Sequence, residues 1–465
     1  MKRRLEFTVF EKKAEELIRK YKVPGVAIAL SQNREPIYEK VYGFRNVEHQ
    51  LPVTMDTVFG IASVTKSFTC IAILQLQEEG KLSIHDPVIR YLPEFSLPEC
   101  AASKMTLHHF MTHSTGLPPL PSILLANKKT IDSDPTAHEF SSKLSKKDSI
   151  DTYEHLIEFI SKQDTKLLGS PGEEFSYSND CFSLLGAIIE RVSGKHFENY
   201  IEEKIFKPVG MDKSCFLVRD LESYDNVTSL YASRKTEKGE EIFESPVWWD
   251  APAMRGAGYL KSNVTEMIKY GEIFWNNGKV GENQILSPES VQLMVKPHIE
   301  VFPGKYYGYG LFVTPNHYGE TLIEHDGNHK GISSHFCVIP ERRLTGVILT
   351  NLAGVPSPTI LNGAINVIKN LEFEYSPLKN STKWNPNELK DYVGIYTSIG
   401  GERLKVTLND ENLQFGNIPV DCIGEDTFLA LIRDQSKVVR FIRNDDRQIV
   451  RLQFHYRQFF KKIND

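Results

Sequence analysis

Very little in this chain settles its class at a glance. Only six of its 465 residues are cysteine, and no two form a Cys-x-x-Cys pair. Cys70, Cys100, Cys181, Cys215, Cys337 and Cys422 are dispersed, several of them inside apolar runs. This argues for reduced, buried thiols and against a disulfide framework. No apolar run approaches about 18 residues, so no segment reads as a membrane span. Met1-Lys2-Arg3-Arg4 has the charge of a signal-peptide start, but no apolar core follows it. Glu11 to Lys22 reads as a charged amphipathic helix instead, and the expected location is the cytoplasm. The net charge is −5 with the two signs interspersed, which leaves no footprint for nucleic acid. Hydrophobic residues at 40% and charged residues at 25% describe an ordinary globular protein.

Several catalytic motifs are missing too. Gly256-Ala257-Gly258 lacks the third glycine and the preceding strand of a dinucleotide fingerprint, so no nucleotide is expected. Neither Ser63 nor Ser114 sits in a Gly-x-Ser-x-Gly elbow. His109 and His113 have the i, i+4 spacing of two metal ligands on a helix, but no Glu lies between them and no third ligand follows. Neither a metal nor another cofactor is expected.

What the chain does contain is Gly60-Ile61-Ala62-Ser63-Val64-Thr65-Lys66, followed by a helix over Thr65–Glu79 that closes at Gly80. This helix is apolar nearly all round and therefore reads as buried. Residues three apart share a helix face, so the Ser63 hydroxyl and the Lys66 amine are expected to meet. A serine needs a neighbour to take its proton. A lysine can do so only as the neutral amine, and lowering its pKa from about 10.4 to near neutrality removes about 4 kcal/mol of preference for the charged form. Burial is the expected cause. On its own, Ser-x-x-Lys reads more readily as a helix cap beside a surface lysine, so its context must decide.

Further along, Val26–Leu30 and Ile37–Gly43 read as a hairpin. Residues 119–151 read as a polar insertion, either a lid or a surface loop. Tyr177 lies on a loop entering a helix that runs from Phe182 to Gly194. A phenol there, beside a lysine ammonium, can ionise more easily and relay protons, although taken alone the residue reads more readily as a packed aromatic with a hydrogen-bonded hydroxyl. Trp248 and Trp249 are candidates to line a cleft. Tyr309–Val313, Leu322–Asn328, Phe336–Pro340 and Thr345–Asn351 read as strands, and Pro356–Asn370 as a covering helix. The expected division is residues 1–372, a linker over 373–387, and an all-β module over 388–465. That module reads as a small up-and-down barrel, on the strict alternation of Arg451 to Arg457. Binding an apolar ligand, capping the site and mediating assembly all remain open roles for it.

The ordered set Ser63-Val64-Thr65-Lys66, Tyr177-Ser178-Asn179 and His325-Asp326-Gly327 resembles the three-motif signature of class C β-lactamases, DD-peptidases and β-lactamase-like esterases. Leu107–Pro118, Ser170-Pro171-Gly172-Glu173 and Gly256-Ala257-Gly258 also look like that family, over residues 8 to 370. With its terminal β module, the whole chain is similar to the archaeal D-amino-acid-specific serine peptidases. Those carry a lipocalin-like C-terminal domain and assemble as octamers. The resemblance implies an α+β fold: an antiparallel sheet flanked by helices, an all-helical subdomain, and a lipocalin-like barrel. It implies that Ser63 is acylated and that Lys66 and Tyr177 share the proton transfers, with the base unassigned between them. Asn179, His325, Gly327 and Asn328 would bind substrate, and the backbone N–H groups of Ser63 and Asn328 would form the oxyanion hole. His325 stands where many β-lactamases have lysine, and it carries a full charge only part of the time near neutral pH. This favours an amidase, peptidase or esterase over a β-lactamase. The expected partners are a small-molecule or peptide substrate and further copies of the chain. The alternatives are a carboxylesterase, a weak β-lactamase and a non-catalytic penicillin-binding scaffold.

Overall fold

In a computed structural model of the protein, residues 2–163, 165–374, 388–409, 412–454 and 456–462 are described. Residues 375–387, which hold nearly all of the expected linker, lie outside them. Among the described residues the first unit is built on a nine-stranded antiparallel sheet. Its strands are β1 (Gly25–Gln32), β2 (Glu35–Asn46), β3 (Leu51–Pro52), β4 (Ile299–Phe302), β5 (Lys305–Tyr307), β6 (Phe312–Thr314), β7 (Leu322–His329), β8 (Ile332–Ile339) and β9 (Leu344–Thr350). The spatial order is β4-β5-β6-β7-β8-β9-β1-β2-β3, so the first hairpin of the chain completes the sheet beside its last strand.

Both faces of the central strands are covered, and the sequence shows it by period-2 partition. Val26, Ile28 and Leu30 join Leu344 and Ile348 under α1 (Lys2–Lys20), together with Ile360 and Leu361 of the C-terminal helix Ser357–Ile368. Ala27, Ala29, Val347 and Leu349 face the opposite way, into the larger core with α2 (Thr65–Glu78), α3 (Asn179–Ser193) and α4 (Val264–Trp275). Small alanines on that face of β1 leave room for a helix. α2 is the most deeply buried helix of this core, with Thr65 to Leu74 and Leu76 inside it, as its all-round apolar pattern predicts.

The second unit is a closed antiparallel barrel whose eight described strands run from Gly394–Thr397 to Arg457–Lys461. Each strand pairs with the next, and the first pairs with the last. Tyr396, Val406, Phe415, Phe428, Val439, Phe441 and Leu452 fill its interior. The fold is therefore the expected α+β sheet-and-helix unit followed by a lipocalin-like β-barrel. Among the described residues no helix is long and apolar enough to cross a membrane.

Four local expectations are corrected. Residues 119–151 are not a loose loop: they form short helices over Ser122–Ala126, Lys128–Asp132 and His138–Leu144, anchored by buried Asn127, Ile131 and Asp134. Tyr309 and Gly310 are not strand. Gly310 has φ +71°, and a Cβ there would lie 2.7 Å from the Lys66 carbonyl oxygen, so the chain turns against α2. His109 ends up in the helix Leu107–Met111 but His113 lies beyond it at φ +57°, so the two do not share a helix face. Cys70, Cys181, Cys215 and Cys337 are buried, whereas Cys100 is exposed.

Candidate active site

Ser63 sits in a single 3-10 turn, Ala62–Val64, that leads directly into α2. Ala62 has φ +47°, a conformation that is unfavourable for a residue with a side chain. The turn is pinned from several sides. Ile61 N–H donates to the Leu260 carbonyl at 2.9 Å, Ser334 Oγ–H donates to the Ile61 carbonyl at 2.8 Å, and Thr65 Oγ1–H donates to the Ala62 carbonyl at 2.6 Å. β7 passes so close that a Cβ at Gly327 would lie 2.3 Å from the Ile61 oxygen and 2.4 Å from Ser334 Oγ. Only glycine fits the 327 position of the third motif, for reasons of space.

Lys66, one turn on, is 0% exposed. Its Nζ lies 2.7 Å from the Ala257 carbonyl oxygen, 2.9 Å from Asn179 Oδ1 and 3.2 Å from Ser63 Oγ. Burial lowers its pKa to about 7, against a smaller upward pull from Asp326. The valence count fits the neutral amine: two N–H bonds go to the two carbonyl oxygens, and the lone pair is left toward the Ser63 hydroxyl. Protonated, the same nitrogen donates to all three oxygens. The site can therefore hold a proton on Lys66 or release it without rearranging.

Asn179 is the first residue of α3, placed there because Ser178 caps the helix, accepting from Cys181 N–H at 3.2 Å. Tyr177 is just upstream, half-buried, with its ring 4.8 Å from Lys66 Nζ. Burial pushes its phenol up, and a hydrogen bond with Ser63 acts the other way without reversing the shift. The expectation of an easily ionised phenol is thus corrected, because loss of solvent outweighs the stabilising neighbours. Beneath Tyr177 lies His113, with ring centroids 4.2 Å apart. His113 Nδ1 accepts from Ser178 N–H at 3.0 Å, and burial keeps its ring neutral.

His325 is 1% exposed. Its Nδ1 donates to the Asp326 carbonyl at 2.6 Å and its Nε2 accepts from Tyr307 Oη at 3.1 Å. Burial lowers its pKa to about 4, so it is neutral at pH 7 and turned inward, not partly charged and presented to the cleft. Asn328, by contrast, is exposed and lines a small cavity of about 60 Å³ together with Ser63 and Asn179.

Ser63, Lys66, Tyr177, Asn179, Gly327 and Asn328 thus converge, with His325 supporting them from within. Sequence reasoning missed the Ala257 carbonyl as a lysine acceptor and the buttressing roles of His113 and Tyr307. It also missed Tyr456, which the barrel places against Tyr177 at 6.2 Å and stacks on Phe312 at 4.7 Å. Arg451 of the barrel is ion-paired with Glu174, and Gln458 donates to the Phe175 carbonyl at 3.4 Å, so the barrel holds the loop that carries Tyr177. Nothing in the local sequence of a β-hairpin announces such a long-range contact.

A mixed sheet-and-helix unit with a buried lysine one turn from a partly exposed serine, at the head of its central helix, defines the class of β-lactamase-type serine hydrolases. Residues 10–368 match the Beta-lactamase family, and the chain belongs to that family. Penicillin-binding protein 4* of Bacillus subtilis (strain 168) is 22% identical over 456 residues, covering 94% of this chain and 93% of that protein. Protein flp of Staphylococcus aureus (strain NCTC 8325 / PS 47) is 25% identical over 388 residues, covering 82% of this chain and 69% of flp. Among solved structures, the octameric penicillin-binding protein homologue from Pyrococcus abyssi has a TM-score of 0.68 at 29% identity, covering 97% of this chain and 99% of that one. SurE has a TM-score of 0.70 at 21% identity, covering 99% of both chains, a likeness of fold.

Proposed function

We propose that the protein is a serine hydrolase that works through an acyl-enzyme on amide or peptide bonds. The observation that carries this reading is the buried Lys66 amine, with a pKa near 7, held 3.2 Å from the Ser63 hydroxyl. Neutral Lys66 takes the Ser63 proton as Oγ attacks the carbonyl carbon. The resulting oxyanion is stabilised by the backbone N–H groups of Ser63 and Asn328, each worth on the order of 3 kcal/mol of barrier. When the tetrahedral adduct collapses, the bond to the leaving group breaks and the proton passes from Lys66 to the departing atom, with Tyr177 as relay. Water then enters by the reverse route and frees Ser63. The raised phenol of Tyr177 supports Lys66 as the base and a protonated Tyr177 as the relay.

The preference for D-configured residues is supported by the fold shared with SurE, whose structure has also been solved with D-Leu. Neutral His325 offers no fixed cation for a β-lactam carboxylate, which supports amide or ester substrates and keeps carboxylesterase as the second reading. In this scheme residues 1–372 carry the chemistry, 373–387 connect, and 388–465 close one side of the cleft. Cytoplasmic residence and a homo-oligomer complete it, to be checked by fractionation and light scattering.

The test is exposure to a fluorophosphonate or a fluorescent penicillin, followed by intact-mass measurement of wild type and Ser63→Ala. A Ser63-dependent mass gain is expected. If no such probe adds mass to the wild type, the reading is wrong.

A further inference from the structure

The cavity beside Ser63 is small, and its walls are traceable. Trp248, Trp249, Tyr259, Ile332 and Ile123 enclose it, with Lys261 and Lys330 at its edge. A volume of about 60 Å³ holds roughly two to four water-sized groups. Ser63 and Asn328, the two residues assigned to the oxyanion, both line it, whereas Tyr177, assigned to the leaving group, does not. A carbonyl bound there therefore points its acyl chain into this cavity and its leaving group toward Tyr177. No carboxylate lines the cavity, so a free ammonium on the acyl part would find no counter-charge on its walls.

The wall is fixed from a distance by the inserted helices. Asp134, whose side chain is 0% exposed, accepts from Trp249 Nε1–H at 2.8 Å and from Lys330 Nζ at 2.5 Å through one oxygen. Its other oxygen accepts from Thr136 N–H at 2.9 Å and Thr136 Oγ1–H at 2.6 Å. Lys330, two residues beyond Asn328, also donates to the Val247 carbonyl and lies 5.6 Å over the Trp249 ring. One carboxylate thus ties the end of β7 to the tryptophan pair. Burial alone would push Asp134 up, but Lys330, Thr136 and Trp249 more than offset it and hold the group ionised. Asn127 of the same insertion donates to Tyr259 Oη at 2.7 Å.

Resting on the acyl-enzyme reading above, and favouring its second, carboxylesterase form over D-configured residues, we infer that this cavity is an acyl site for short, uncharged acyl groups such as acetyl or propionyl, and that Asp134 is a positioning residue that sets its size through Trp249 and Lys330. Each methylene beyond the limit must displace a wall, and a single methylene in an apolar pocket is typically worth about 10- to 200-fold in discrimination.

The experiment compares kcat/KM for p-nitrophenyl acetate, butyrate and octanoate and for D-alanine p-nitroanilide, in wild type, Ile332→Ala and Asp134→Asn, with Tm as a check on folding. Wild type should prefer acetate over octanoate by about a hundredfold or more. Ile332→Ala should raise the butyrate-to-acetate ratio by about tenfold, by enlarging the cavity directly. Asp134→Asn should raise it by about fivefold, mainly through KM, a change in selectivity that a purely structural role would not produce. Equal rates on acetate and octanoate, or faster release from the D-alanine anilide than from acetate, overturn the acyl-site assignment. An unchanged ratio in folded Asp134→Asn overturns the role of Asp134. A Ser63 that neither turns over an ester nor reacts with a methyl fluorophosphonate overturns the hydrolase reading itself, and the acyl site with it.

Discussion

The sheet behind Ser63 and the terminal barrel are both antiparallel, yet they bury their side chains differently. Every residue of β8 and β9 is buried, because helices cover both faces of the sheet. In the barrel strand Arg403–Asn409 a single residue, Val406, is fully buried, because only the inner face is covered. Double cover is what allows a lysine to lose its water and its charge at the head of α2. The described interior of the barrel is packed with its own aromatics, and the barrel meets the site through Arg451, Tyr456 and Gln458.

The largest effect that separates these regions is expected from Ser63→Ala, which should lower turnover by about ten-thousandfold or more and remove mass labelling. Lys66→Ala should follow at about a thousandfold. With the base at about pKa 7, wild-type kcat/KM should rise as pH increases through that value, because only the deprotonated amine accepts the serine proton. His325, with its pKa near 4, should add no limb between pH 5 and 8. A falling limb across pH 7 would remove Lys66 as base. Tyr177→Phe should cost about a hundredfold, and a near-wild-type rate would take the phenol out of the proton path.

Gly327→Ala sharpens the contrast by acting on the backbone. Its methyl group would press on the Ile61 carbonyl, with an expected loss of about 1–3 kcal/mol of stability and a clear fall in activity. Phe441→Ala in the barrel core should cost a comparable or larger amount, about 3–5 kcal/mol, while Ser63 still labels below the transition. If denaturant melts and labelling show both variants losing acylation alike, the two regions are one functional unit. The smallest effect, about tenfold or less in kcat/KM, is expected for Tyr456→Ala combined with Arg451→Gln, which release the barrel from the Tyr177 loop.

Much of this architecture was legible because it follows from periodicity. The all-round apolar α2, the β1–β2 hairpin, the strands β7 to β9 and the barrel all carry patterns of 3.6 or 2. The insertion over 119–151 was not legible, since its short helices are held by single buried polar groups such as Asp134 and Asn127, which look in sequence like any polar loop. Tyr309–Val313 misled because its apolar alternation hides Gly310, whose left-handed turn is imposed by the Lys66 backbone. His325 and Tyr177 were misjudged in charge for one shared reason: their neighbours were visible in the sequence, but their loss of solvent was not.

By itself the sequence determined the elements of this protein and the order of its three motifs, because hydrophobic spacing and short-range geometry are local properties of a chain. Only the tertiary structure decided which groups are neutral, how small the pocket beside Ser63 is, and which distant residues hold it. Those depend on desolvation and on contacts between segments hundreds of residues apart, and no local pattern encodes either.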